Sequence, residues 1–197
     1  QKGLLYKGYS IQPFSPAAGT GLSSHELNQP GAYREVRDVS AVALFRIPAE
    51  GRGEAHRASL GEEEILLSAW TTTPWTLPSN TALAVGEELS YALVETDHPY
   101  TGQRQRIAMA ETLLAKWFDA KGEVSGELPK AQEKGNAWRV LKKGIKGSQL
   151  VGLRYEPLFD YARPAEGDAY LVVAGDFVST EEGTGIVHIA PSFGADD

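Results

Sequence analysis

A mainly β domain, closed or nearly closed into a barrel and carrying a helical insertion over 97–135, is the fold class this sequence predicts. Three observations predict it. Glycine and proline, 21 and 11 of 197 residues, are scattered along the chain rather than gathered in a linker. They punctuate short apolar runs of strand length. Only the middle of the chain places its apolar residues at helical spacing. Closure follows from the number of strands and the need to hide sheet edges.

Residues 1–27 open with Leu5, Tyr9 and Ile11 at alternating positions, then two prolines and the turn Gly19-Thr20-Gly21. They read as a strand, a turn and a short return, forming a connecting arm. Residues 38–47 (DVSAVALFRI) are a β-rich run that Pro48 ends. Residues 49–61 are polar and glycine-punctuated, the pattern of a loop at a hairpin tip. Residues 64–70 (EILLSAW), 81–85 (TALAV) and 89–95 (LSYALVE) continue the strand pattern. Over 106–120 the spacing of Ile107, Ala110, Leu113, Leu114, Trp117 and Phe118 predicts a helix that Gly122 stops. Residues 148–156, 169–175 and 184–190 return to strand-like runs. One domain spanning 1–197 is expected, with no internal repeat.

Composition excludes several classes of function. At 42% hydrophobic and 23% charged residues the chain is globular rather than disordered. No apolar run approaches the roughly 18 residues a membrane helix needs, so no membrane partner is expected. There is no cysteine, which excludes a disulfide scaffold and a thiolate metal site and fits a reducing, cytoplasmic compartment. The chain begins Gln1-Lys2-Gly3 without a signal peptide or initiator methionine, as a piece of a longer protein would. A net charge of −7 argues against bulk electrostatic binding of nucleic acid. A local cationic cluster remains at 130–146: Lys130, Lys134, Arg139, Lys142, Lys143 and Lys146 against Glu133. It reads either as a solvated face or as a nucleic-acid contact.

Two blocks carry candidate chemistry. The first runs from Trp70 to Asn80 (WTTTPWTLPSN), where Thr71, Thr72 and Thr73 end an apolar strand and Pro74 and Pro78 stiffen the loop that follows. Such a loop presents hydroxyls, the Trp75 indole and the Asn80 amide to one side of a cavity. These groups hydrogen-bond well but are poor acids and bases. The bland alternative is a threonine-rich turn packed by two tryptophans. The second block is Gly183 to Asp197 (GTGIVHIAPSFGADD), in which His188 alternates with Val187 and Ile189 and so faces the other way. His188 is then either a structural strand histidine or a cavity group. Asp196 and Asp197 could cap a helix, bind a cation or accept from a ligand ammonium. His25, His56 and His98 lack any triad or metal spacing. No P-loop, GxGxxG, HExxH or CxxC occurs.

Together WTTTPWTLPSN and GTGIVHIAPSFGADD resemble the inserted editing domain (CP1) of isoleucyl-tRNA synthetases, class I aminoacyl-tRNA synthetases. The opening KGLLYKGY…SPAAGTGLSSHEL resembles the strand that leads into that insertion. The resemblance covers nearly the whole chain, least across 97–165, where a long spacing from Thr73 to His188 fits an insertion. Valyl and leucyl relatives typically carry arginine where Thr73 stands, which favours the isoleucyl branch. The synthetic signatures HIGH and KMSKS are absent.

The resemblance implies a distorted six-stranded β-barrel with peripheral helices. It implies hydrolysis of valine wrongly esterified to tRNA(Ile), with valyl-adenylate as a further substrate, and no cofactor or metal for editing. The partners it implies are the tRNA(Ile) acceptor end, the valine moiety and the catalytic domain of the parent synthetase. By position, the threonine run maps to Thr71, Thr72 and Thr73, and the pocket residues to Trp75, Thr76 and Asn80. The block histidine maps to His188, as a catalytic and binding group. The carboxylate that holds the substrate ammonium maps to Asp197. A module that only docks the acceptor end, using the 130–146 lysines, is the alternative.

Overall fold

The computed structural model describes residues 4–8, 11–50, 52–129, 137–161, 163–191 and 193–194. They fall into two compact units, 1–38 with 192–197, and 39–191. In the first unit β1 (Phe14–Ser15) and β2 (Thr20–Gly21) form a two-stranded hairpin, followed by the single-turn α1 (Ser24–Leu27). The expected strand, turn and return lies at 14–21 among the described residues; Leu5 and Ile11 are not in a strand, and Tyr9 lies outside the described residues. Ser23 and Glu26 form a reciprocal capping box that starts α1.

The second unit is built on two sheets. Its strands are β3 (Ala41–Ile47), β4 (Ile65–Thr71), β5 (Ala82–Val85), β6 (Ser90–Asp97), β7 (Arg104–Ala110), β8 (Trp138–Lys146), β9 (Leu171–Ala174) and β10 (Ile186–Ile189). Five of them form a sheet in the order β3-β4-β7-β6-β8, and three form a sheet in the order β10-β5-β9. The β4–β7 and β5–β9 pairs are parallel; the rest are antiparallel. Short helices lie between them, α2 (Glu54–Leu60) and α3 (Leu114–Trp117), with 3-10 turns at Pro74–Ser79, Glu111–Leu113, Ala120–Gly122 and Gly147–Gln149.

The central strands are apolar on both faces. Tyr91 and Leu93 of β6, with Ala108 and Ala110 of β7, join the main core beside Phe45, Leu67, Leu83, Leu153 and Ile186. Ala92, Val94, Ile107 and Met109, the alternating residues, pack on the opposite face with Leu114 and Trp138. Burying each large side chain of this kind contributes about 1.5–3 kcal/mol.

Two expectations are corrected, over 106–120 and over 49–61. Residues 106–120 are not one helix: β7 occupies the start, and only the 3-10 turn and α3 are helical. The described part of 97–135 is accordingly a strand with short helical turns rather than a helical insertion. Residues 49–61, expected as a loop, contain α2. A mainly β fold holds, but no closed six-stranded barrel forms among the described residues. The parallel β4–β7 ladder is two residue pairs long, and the segment just before β10 bonds β7 through Ala110 N–H to the Thr184 carbonyl at 2.8 Å. The ladder therefore does not run round from one sheet to the other.

Candidate functional site

The two sequence blocks meet in space. The threonine run ends β4, and the chain then turns through the 3-10 segment Pro74–Ser79, with Pro74 in the first turn, where its missing N–H costs no bond. Pro78 lies inside the segment, which stays short. This turn carries Thr76 back beside β10. There Val187 and Ile189 pack with Ala84 and Val178, so His188 faces the other side, as strand alternation predicts.

A continuous run of hydrogen bonds links the candidates. The Thr73 backbone N–H donates to Thr71 Oγ1 at 3.0 Å, and the two hydroxyls lie 3.3 Å apart. Thr76 Oγ1 donates to the Thr73 carbonyl at 2.8 Å and lies 3.0 Å from His188 Nε2. A hydroxyl has one proton. With that proton given to the Thr73 carbonyl, Thr76 accepts from His188, an assignment that places a proton on Nε2. Thr71, Thr76 and His188 are buried, whereas Thr72 and Thr73 are exposed. Trp75 is 61% exposed and stands at the rim.

Asn80 is turned inward. Its Nδ2 donates to the Ala82 carbonyl at 2.8 Å and to that of Ile189 at 3.4 Å, and its Oδ1 accepts from the Tyr155 hydroxyl at 2.5 Å. The side chain that the resemblance gives to the substrate thus holds the end of the 3-10 turn against β10. Asp197 and its neighbour Asp196 lie outside the described residues.

The glycines of the second block have a structural cause. Gly183 and Gly185 adopt φ of +70° and +75°. A Cβ on Gly185 would stand 2.3 Å from the Ala110 Cβ. Between them, the Thr184 hydroxyl donates to the Ser68 carbonyl at 2.5 Å. The buried Tyr91 hydroxyl donates to the Gly185 carbonyl at 2.7 Å and accepts from Gly86 N–H. Burial pushes the Tyr91 phenol up to about 12. These bonds seat the start of β10, and so the height of His188.

Three members of the cationic cluster, Arg139, Lys142 and Lys146, have partners. Arg139 pairs at 2.7 Å with Glu95, a buried carboxylate that also meets Arg106 at 3.2 Å. Lys142 and Lys146 donate to the Ala58 and Glu88 carbonyls. Lys130 and Lys134 lie outside the described residues. His56 bonds the Val151 carbonyl, and the His98 ring accepts two turn N–H groups. No group of three or more His, Asp or Glu among the described residues is placed to hold a metal. No described helix is long and apolar enough to cross a membrane. Tyr155 and Glu95 escaped the sequence reading: each acquires its role from partners distant in the chain.

No family model matches the chain. The isoleucine–tRNA ligase of Cytophaga hutchinsonii is 56% identical over 198 residues, which take in all of this chain and 17% of that protein. Those of Bacteroides fragilis and Porphyromonas gingivalis are each 52% identical, again over the whole chain and 17% of their length. The chain belongs to the isoleucine–tRNA ligase family, as a segment of it. Its fold is shared by GlLeuRS-CP1, with a TM-score of 0.53 at 14% identity over 78% of this chain and 55% of that one. The editing domain of the P. knowlesi cytosolic leucyl-tRNA synthetase gives 0.51 at 16% identity, over 76% and 56%. The isoleucine–tRNA ligase segment thus has the architecture of these domains. At such identities the likeness concerns fold alone.

Proposed function

We propose that this segment is the editing site of isoleucine–tRNA ligase and hydrolyses valine wrongly esterified to tRNA(Ile). The observation that supports the reading is the bonded run Thr71–Thr73–Thr76–His188, which brings residues of the two sequence blocks together. Valine and isoleucine differ by one methylene, worth about 1–3 kcal/mol in a binding pocket, a limit for which the isoleucine enzymes are themselves the worked example. A second site that excludes the larger side chain removes the error. Packing one carbon too many against Thr76, His188 and Trp75 costs about 1–3 kcal/mol.

In this reading Asp197 pairs with the α-ammonium and the threonine hydroxyls orient the ester and a water. Water adds to the acyl carbon, the bond to the ribose oxygen breaks, and that oxygen takes the proton. His188 Nε2 already donates to Thr76, so His188 orients rather than abstracts a proton at that nitrogen. In this reading a ribose hydroxyl of the terminal nucleotide assists the water. Neither a metal nor an organic cofactor enters these steps.

Replacing Asp197 with alanine removes one charge-assisted bond, worth about 1.5–3 kcal/mol, so valyl-tRNA(Ile) deacylation should slow about ten- to hundredfold. Undiminished deacylation would refute the assignment of Asp197. The docking-only alternative predicts salt-sensitive tRNA binding without turnover. Of its basic residues Arg139 is paired with Glu95, while Lys142 and Lys146, bonded to carbonyls, keep their charge.

A further inference from the structure

Tyr155 lies 75 residues along the chain from Asn80, yet its hydroxyl donates to Asn80 Oδ1 at 2.5 Å. It is 5% exposed. Its ring meets Phe45 edge-on, with centroids 5.2 Å apart, and Tyr170 at 6.0 Å. Its backbone is fixed from both sides. Tyr155 N–H donates to the Tyr170 carbonyl, and Glu156 N–H donates to the Arg46 carbonyl on β3. Tyr170 N–H in turn donates to the Thr81 carbonyl at 2.6 Å. The segment around 155 therefore spans from the edge of the five-stranded sheet to the three-stranded one, and its side chain reaches the junction between the 3-10 turn and β10.

At that junction the Ile189 carbonyl accepts from both Thr81 N–H and Asn80 Nδ2. Asn80 also closes the 3-10 turn through its own N–H to the Leu77 carbonyl. The amide of Asn80 thus bonds the residue after His188 while capping the turn that carries Thr76. Its orientation is fixed at three points, and the Tyr155 hydroxyl supplies the only one that comes from another side chain among the bonds described.

We propose that Tyr155 is a positioning residue of the editing site: through Asn80 it sets the spacing of Thr76 against His188, and so the size of acyl group the site admits. The proposal rests on the editing reading above and deepens it. Without the phenol, Asn80 Oδ1 loses its buried donor, and the turn and β10 gain freedom to separate. A methyl-sized tolerance is what distinguishes valine from isoleucine, so selectivity should suffer before hydrolysis does.

The test uses the full 197-residue chain and Tyr155→Phe, which keeps the ring and removes the donor. The ratio of kcat/KM for valyl-tRNA(Ile) to that for isoleucyl-tRNA(Ile) should fall about tenfold, the scale of one hydrogen bond. Asn80→Ala should lower the ratio similarly, and the double variant should lower it no further, because both changes cut one connection. A folded Y155F chain with an unchanged ratio, or additive losses in the double variant, would overturn the proposal. So would a Y155F chain that fails to fold while Asn80→Ala folds and keeps its selectivity. Should the parent chain hydrolyse neither ester, the editing reading fails, and positioning is still decided by the His188 Nε2 proton resonance. That resonance should shift and exchange faster in Y155F; an unmoved resonance counts against Tyr155.

Discussion

Thr76 makes the sharpest single-residue case. Its hydroxyl bonds both the Thr73 carbonyl and His188 Nε2, and in the proposed reading its methyl group walls the acyl site. Thr76→Ser keeps the first and deletes the second. Hydrolysis of isoleucyl-tRNA(Ile) should then rise about ten- to hundredfold with valyl-tRNA hydrolysis little changed, read from deacylation of the two esters. Thr76→Val has the opposite chemistry, leaving the Thr73 carbonyl without its donor and His188 Nε2–H without its acceptor, and should lower both rates. The threonine run, Thr76 and His188 were legible in the sequence because each lies in a short motif. The inward role of Asn80 and the very existence of Tyr155 as its partner were not, since a hydroxyl and an amide 75 residues apart leave no local pattern.

At the scale of elements, β10 shows why the block Gly183-Thr184-Gly185 precedes the histidine. Gly185→Ala would put a side chain at a left-handed φ and 2.3 Å from Ala110. Strain of about 1–2 kcal/mol and overpacking of about 1–3 kcal/mol should add, measured as loss of stability in urea. The neighbouring Tyr91 predicts a pH dependence. Its folded-state pKa, about 12, lies above the ordinary value of 10, so the unfolded chain loses the proton first. Stability from this group is whole below pH 10 and declines as pH rises toward 12. Tyr91→Phe should flatten that alkaline decline in melting temperature; an unchanged slope would mean the phenol is not buried. β7 explains the main misreading of the chain. Its residues are buried on both faces, so Ile107, Ala108, Met109 and Ala110 form a continuous apolar run, and such a run does not reveal its period. In β8 the lysines hid a strand, because side chains on an edge strand can reach solvent.

At the scale of the whole molecule, the 39–191 unit is two sheets joined by a few buried bonds rather than one closed ladder. The candidate site sits where those bonds gather: the end of β4, the 3-10 turn and β10. The mainly β class was legible from turn spacing, whereas closure was not, because sheet order depends on contacts between strands far apart in sequence. The buried Glu95 with Arg106 and Arg139 pins β6, β7 and β8 together. Glu95→Gln should cost about 1–3 kcal/mol in urea unfolding without altering ester selectivity. The central claim is that this segment of an isoleucine–tRNA ligase removes the smaller amino acid and spares the larger. Incubating the chain with valyl-tRNA(Ile) and, separately, isoleucyl-tRNA(Ile) tests it most directly. Release of valine at a rate at least about tenfold above that of isoleucine is the predicted result, on the scale of one excluded methylene. Equal rates, or no release of either, would contradict it.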